Sequence, residues 1–166
     1  KRYHTIAELP EVLPVFPLGG ALLLPRAELP LNIFEDRYLQ MFDQAISTHR
    51  MIGMIQPVSE SEGETPGLLR VGCAGRITSY SETNDNRLLI GLTGICRFEV
   101  VKEKKVKTAW RQCIVNYDGF AADLVTDNQA RTVNRSALVT AFRQYLESNN
   151  MTANWEEVEK VSTENL

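Results

Sequence analysis

The sequence lacks the residues and motifs on which most enzymes and metal sites depend. It contains only two histidines, His4 and His49, which lie far apart in the chain. It has no Gly-x-x-x-x-Gly-Lys-[Ser/Thr], no His-Glu-x-x-His and no Gly-x-Ser-x-Gly, which excludes a P-loop, a zincin site and a nucleophile elbow. We therefore expect a non-catalytic protein without metal or cofactor; a small hydrolase with an unrecognised site is the enzymatic alternative.

Cysteine and long apolar runs are also scarce. Cys73, Cys96 and Cys113 are an odd number at wide spacing without Cys-x-x-Cys, which argues against a disulfide framework or zinc site and indicates a reducing compartment. All three lie in strand-like segments, where we expect small buried apolar side chains. No apolar run reaches the roughly 18 residues of a membrane span, and the start has no signal sequence. These features predict a cytoplasmic protein with no membrane partner.

The chain has no excess of positive charge. Its 18 Lys and Arg residues stand against 21 Asp and Glu residues, with a net charge of -3. The basic cluster at 102–107 is short, contains Glu103, and is typical of a solvated strand end or hairpin. Because nucleic-acid binding needs a basic surface, the charge argues against a nucleic-acid partner.

Proline is concentrated in one apolar segment, residues 13–38, which holds four of the seven prolines. Proline fixes φ, removes a backbone donor and makes the preceding residue extended. We therefore expect extended segments with each proline at a strand edge, a strand start or a bend. Asn32 with Glu35 three residues later forms a capping-box pattern, which predicts a helix from there to about Arg50.

A β-rich region follows the predicted helix. Its strand-like segments contain internal glycines, notably Gly72 and Gly75, which indicate a bulge or a tight bend. With the one early helix, this pattern predicts an α+β fold built on a small barrel or curled antiparallel sheet. The polar stretch 59–66 is expected to be a surface loop. The predicted strands are 51–57, 68–80, 87–101 and 108–117.

The last part of the chain has a helical pattern. A capping box beginning at Thr126 predicts a helix to about Asn149, and Asn154 is expected to cap another. We therefore expect two domains, a β domain over 1–118 and a helical part over 119–166. A further capping pattern stops at the chain end, so the helical part is expected to be truncated there.

Two interpretations stay open for three residues near the helix start. In the structural one, Phe34 and Tyr38 pack the first helix onto the sheet and Arg37 pairs with a neighbouring acid. In the functional one, the three residues form part of a peptide-receiving surface. Arg97 and Phe98 pose the same question in a strand, and there an ion pair and a core position are expected.

Six segments within residues 12–118 match one known family in order and register. They are Leu13–Leu18, Leu24-Pro25, Leu29–Tyr38, Ile52–Pro57, Val71–Ile77 and Leu92–Phe98, and the single residue Met41 matches as well. In these segments the chain resembles the amino-terminal substrate-binding domain of Lon proteases, and more closely the small stand-alone bacterial proteins built around that domain. The resemblance implies a PUA-like curled antiparallel β-barrel with one inserted helix, followed by a C-terminal α-helical part.

The resemblance also implies a function. The expected partners are unfolded or degron-bearing polypeptide segments, with a protease or chaperone as a further partner. The ATPase and Ser-Lys protease modules of Lon are not carried over, so an adaptor role is expected. An extended peptide would add to a barrel edge, with apolar pockets for its side chains. The candidate peptide-binding residues are Leu22, Leu23, Phe34, Arg37 and Tyr38, with Leu22 and Leu23 expected to be exposed.

An RNA-binding module is the alternative, since PUA-like barrels also serve that role. The low pI of about 5.5 and the lack of a basic, aromatic stripe weigh against it.

Overall fold

The computed structural model describes residues 1–58, 66–85, 87–125 and 134–161. The chain forms two compact units, 1–125 and 126–166. The division lies later in the chain than the predicted boundary after residue 118, because a 3-10 helix at Asp118–Leu124 is bonded to the sheet of the first unit. The two-domain assignment itself stays a prediction. The capping box at Thr126 and most of the predicted loop at 59–66 lie outside the described residues.

The first unit contains six strands and one α-helix among its described residues. The predicted order of strands and helix is confirmed, and a short 3-10 helix at Ile6–Glu8 precedes the first strand. The elements are β1 (Val12–Pro17), β2 (Glu28–Ile33), α1 (Asp36–Ser47), β3 (Met51–Ile55), β4 (Val71–Glu82), β5 (Leu88–Glu103) and β6 (Arg111–Asn116).

The strands form one mixed sheet. Their order is β2-β5-β4-β3-β1-β6, and β5 also pairs with β6, so β5, β4, β3, β1 and β6 are linked in a ring with β2 outside it. All pairs are antiparallel except β1 with β3, which is parallel. The α+β class is confirmed, but a wholly antiparallel sheet was a wrong prediction. The chain between β1 and β3 contains β2 and α1, a crossover long enough to return a strand in the same direction.

The prolines lie where their chemistry allows. Pro30 is in β2, at the end of the sheet order, and Pro17 ends β1. Pro14 pairs only with β6, because the pairing of β1 with β3 begins at Val15. The prediction of edges, ends and bends is therefore confirmed for these strands.

Helix α1 begins later than its capping pattern predicted. Asn32 pairs with Leu89 in the β2–β5 ladder, which holds it in extended geometry inside a strand. The N-cap is Glu35, and α1 starts at Asp36. The prediction of Asn32 as the cap is wrong because pairing with β5 decides its conformation.

The core has two parts. One lies between α1 and the sheet, where α1 buries Tyr38, Met41, Phe42 and Ala45. The other surrounds Phe98, whose ring occupies the space that side chains at two glycines would need. A Cβ at Gly72 would lie 2.6 Å from the Phe98 ring and a Cβ at Gly53 would lie 3.0 Å from it. The expected core position of Phe98 is confirmed.

The second unit contains two helices among its described residues, α2 (Arg135–Ser148) and α3 (Trp155–Lys160). The α2 N-cap is Asn134, whose side chain accepts a hydrogen bond from the Ala137 amide at 3.1 Å. Asn150, directly after the C-cap of α2, has φ of 54°, a left-handed geometry common at helix ends. Asn154 is the N-cap of α3 as predicted.

Candidate functional site

The segment between β1 and β2, residues 18–27, lies against the sheet and is here named the leucine loop. At its start the Leu18 amide donates to the Ile55 carbonyl at 3.0 Å, and near its end the Arg26 amide donates to the Gly94 carbonyl at 2.8 Å. A Cβ at Gly94 would overlap the Leu24 carbonyl oxygen. Glycine at position 94 therefore lets the loop backbone approach β5 directly.

Three consecutive leucines in this loop alternate in exposure. Leu22 is 68% exposed and Leu24 is 51% exposed, whereas Leu23 is only 3% exposed. Leu23 packs over β4, where a Cβ at Gly75 would lie 2.7 Å from its side chain. The expectation that Leu23 is exposed is therefore wrong. Extended backbone sends alternate side chains to opposite sides, so burying Leu23 leaves Leu22 and Leu24 on the outside.

A recess of about 120 Å³ opens beside the leucine loop, here named the leucine recess. Its wall on one side is the loop, and on the other it is the end of β3 with the start of β4. Four exposed apolar side chains line it. They are Leu22, Leu24, Leu69 and Val71.

Hydrogen bonds fix the walls of the leucine recess. The Gln56 side-chain amide donates to the Ala21 carbonyl at 3.2 Å, which ties the loop to the end of β3. The Leu69 amide donates to the Gln56 carbonyl at 2.9 Å. At Gly72 a Cβ would lie 2.6 Å from the Met54 carbonyl oxygen, so the close approach of β3 and β4 depends on that glycine.

Arg97 supplies the charged edge of the recess. Its Nε and Nη2 donate to the two carboxylate oxygens of Asp123 at 2.9 and 2.7 Å, and its backbone amide donates to the same carboxylate at 3.0 Å. Its guanidinium also lies 4.8 Å from the centre of the Phe120 ring. Burial alone would raise the pKa of the Asp123 carboxyl, but the bonds from Arg97 outweigh burial and hold that pKa below its ordinary value. The expected ion pair of Arg97 is confirmed.

The thiol at the recess is chemically inert. Cys73 lines the recess but is buried, and burial raises the pKa of its thiol to about 12. It is therefore protonated at neutral pH and cannot act as a thiolate nucleophile. Cys96 and Cys113 are also buried and free, which confirms the expected apolar role. Within the described residues, no group of three or more His, Cys, Asp or Glu side chains is placed to hold a metal ion.

The other three candidate residues lie at the β2–α1 junction. Tyr38 is 8% exposed and stacks on Phe16 with ring centroids 4.0 Å apart. Arg37 pairs with Glu35 at 2.6 Å. Phe34 is 62% exposed and does not pack in the core. The structural interpretation therefore holds for Tyr38 and Arg37 and is wrong for Phe34.

The structure brings only part of the predicted set together. Leu22 and Leu23 line the leucine recess, whereas none of Phe34, Arg37 and Tyr38 is among the described residues that line it. Three of the exposed apolar side chains that line it were not predicted: Leu24, Leu69 and Val71. Alternation from a buried Leu23 would have indicated Leu24. The sequence carries no signal for the other two, because their position opposite the loop depends on the pairing of β3 with β4.

Comparison with known proteins supports one family. The family model of the ATP-dependent protease La (LON) substrate-binding domain matches residues 12–165. The Lon protease of Dictyoglomus thermophilum is 29% identical over 96 residues, or 57% of this chain. The Lon protease of Flavobacterium johnsoniae is 30% identical over 108 residues, or 61% of this chain. The matched parts are only 12% and 13% of those relatives' length.

Solved structures agree with this match. A Lon N-terminal domain protein from Xanthomonas campestris is similar with a TM-score of 0.53 and 29% identity, over 64% of this chain and 59% of that one. The N-terminal domain of a Mycobacterium avium complex Lon protease has a TM-score of 0.59 over 91% of this chain and 76% of that one. Its 14% identity supports the fold alone. Since the family model matches most of the chain, the protein belongs to the Lon substrate-binding domain family.

Proposed function

We propose that this chain is a non-catalytic substrate-recognition module that binds unfolded or degron-bearing polypeptide segments at the leucine recess. The observation that carries the proposal is the convergence of four exposed apolar side chains on one recess. Exposed apolar residues are normal when scattered, but a contiguous patch marks an interaction site. The four are Leu22, Leu24, Leu69 and Val71.

The size of the recess favours a side chain over a small-molecule ligand. Pockets for drug-sized molecules or cofactors are typically about 300–1,000 Å³, whereas this recess is about 120 Å³. Burying one large apolar side chain is worth roughly 1.5–3 kcal/mol. A single recess therefore gives weak binding, which suits a module that samples many unfolded clients and holds those that offer several apolar residues.

The predicted residues have different parts in this proposal. Leu22 contacts the client directly, and Leu23 anchors the loop that presents it. Phe34 and Arg37 form a secondary contact surface, and Tyr38 supports that surface from within the core.

The proposal also covers the scaffold of the module, its partners and its location. The ring of five paired strands supports a PUA-like barrel as the scaffold. A protease or chaperone would act on the bound client. In the described part of the chain, no helix has both the length and the hydrophobicity to cross a membrane; the cytoplasmic location stays a prediction.

Binding to an unfolded protein tests the proposal. The probe is a fluorescent lysozyme that is permanently unfolded by reduction and amidomethylation, and anisotropy reports its affinity. We expect Leu22→Ser with Leu24→Ser to weaken binding about tenfold, which corresponds to about 1.4 kcal/mol, with an unchanged melting temperature.

The matched control is Val101→Ser, which removes an apolar side chain that is 63% exposed but does not line the leucine recess. This control should bind as the wild type does. Equal affinity of the double variant and the wild type, or a failure of the wild type to bind, would contradict the proposed function.

A further inference from the structure

We propose that the leucine recess selects an apolar side chain that has an acidic neighbour in the client, and that Arg26 and Arg97 bind the acidic group. This inference rests on the proposed function and names the class of segment that the module takes. The occupant is an extended polypeptide in which Asp or Glu flanks Leu, Ile or Phe.

The first observation is the asymmetry of the Arg97–Asp123 pair. The Arg97 side chain is 47% exposed, whereas the Asp123 side chain is 9% exposed. The carboxylate is thus behind the guanidinium, and the charge that a client meets at the recess is positive. Asp123 engages Nε and Nη2 of Arg97, and Nη1 makes no hydrogen bond within the described residues, so it stays available as a donor.

The second observation is Arg26, which follows the exposed leucines in the same loop. It is exposed, makes no ion pair with another described residue, and lies close enough to Asp123 for its charge to help lower the pKa of that carboxyl. Arg26 also has φ of 70°, a left-handed geometry that glycine adopts without strain. Arg26 does not itself line the recess, but it lies two residues after the lining residue Leu24. An arginine there carries a long cationic side chain at a backbone cost that glycine would avoid.

The third observation is the balance of charge around the recess. Arg70 lies between the lining residues Leu69 and Val71, its side chain is 80% exposed, and it pairs with Glu99. Arg70 and Arg97 are thus each paired with a carboxylate, whereas Arg26 makes no ion pair with another described residue. Guanidinium groups bind carboxylates through charge-assisted hydrogen bonds, so this rim favours an acidic flank on the client and disfavours a basic one.

Three peptides test the selection. They are short, acetylated and amidated, share a central leucine, and differ only in the residues that flank it, which are Glu, Gln or Lys. Dissociation constants are measured by fluorescence anisotropy at about 50 mM and about 500 mM salt, since screening weakens exposed charge pairs. We expect the Glu peptide to bind about fivefold more tightly than the Gln peptide at low salt, and the Lys peptide to bind most weakly.

The variant Arg26→Gln identifies the group that reads the acid, and Arg50→Gln is its matched control. Arg50 is another exposed arginine with positive φ, 59°, but it lies directly before β3 and outside the leucine loop. We expect Arg26→Gln to remove most of the preference for Glu over Gln and Arg50→Gln to keep it. A preference that is absent in the wild type, unchanged in Arg26→Gln, or equally reduced in both variants overturns the inference.

The failure of this inference is distinguishable from the failure of the proposed function. If all three peptides bind the wild type equally, and binding still depends on Leu22 and Leu24, the recess binds apolar segments without reading charge. If no peptide binds, and the unfolded lysozyme does not bind either, the proposed function fails together with the inference.

Discussion

The leucine recess and the β2–α1 junction both hold residues predicted to receive a peptide, but their side chains have different partners. At the junction, Tyr38 stacks on Phe16 and Arg37 pairs with Glu35, and of the three predicted residues Phe34 alone is an exposed apolar side chain. At the recess, Leu22 and Leu24 project outward. The comparison indicates that a residue within the family motif can have a purely structural role, whereas the proposed binding surface rests on several exposed apolar side chains that converge on one recess.

The largest expected effect is on the free energy of unfolding, and it distinguishes the two aromatic residues Phe34 and Tyr38 of the junction. We expect Tyr38→Ala to lower the free energy of unfolding by about 3–5 kcal/mol, because it deletes a buried ring that packs on Phe16. The matched change Phe34→Ala removes an exposed ring and should stay within about 0.5 kcal/mol. Urea denaturation of both variants measures the difference, and equal effects would show that Phe34 packs in the core after all.

The next effect separates two neighbouring leucines of the loop. Leu23→Ala should lower the free energy of unfolding by about 2–3 kcal/mol, because it empties the space that Leu23 fills over Gly75. Leu22→Ala should change it by less than about 0.5 kcal/mol and should instead weaken binding of the unfolded lysozyme. The opposite pattern, with Leu22→Ala destabilising and Leu23→Ala silent, would mean that the loop has the reverse alternation.

Local pattern predicted the elements better than their arrangement. Helical spacing placed α1, the prolines marked a strand end and an edge strand, and Gly75 marked a register shift in β4, because these effects act within a few residues. The parallel pairing of β1 with β3 and the strand conformation of Asn32 depend on partners far away in the chain. Such long-range pairing overrides a local capping signal.

The candidate site was predictable only in part for the same reason. Which of Leu22, Leu23 and Leu24 faces inward depends on Gly75 and Gly94, which lie much later in the chain. A run of leucines carries no signal for its own register. The resemblance to the family suggested Leu22 and Leu23 as candidate contacts, but which of them is buried was visible only in the folded structure.

The ion pairs of the two regions should also differ in their contribution to stability, by a smaller amount. Asp123→Asn should lower the free energy of unfolding at neutral pH by about 1–2 kcal/mol, because it weakens charge-assisted bonds to Arg97 from a side chain that is mostly buried. Glu35→Gln at the junction should change it by less than about 0.5 kcal/mol, since that pair with Arg37 is exposed. Thermal and urea unfolding of the two variants test this, and an equal loss would remove the distinction between the two surfaces.

The pH dependence of the Asp123 contribution has a defined sign. The pKa of this carboxyl is lower in the folded protein than its ordinary value of 3.8, so below pH 3.8 the unfolded chain binds the proton more readily than the folded one. The contribution is therefore complete above the unfolded pKa and is lost as the pH falls through the folded pKa.

Urea denaturation from about pH 6 to about pH 3 should show the stability of the wild type converging on that of Asp123→Asn below about pH 4. In an Arg97→Gln background the same comparison should show little convergence, because the partner that lowers the pKa is gone. A constant difference between wild type and Asp123→Asn down to pH 3 would mean that Arg97 does not hold this carboxylate at the recess.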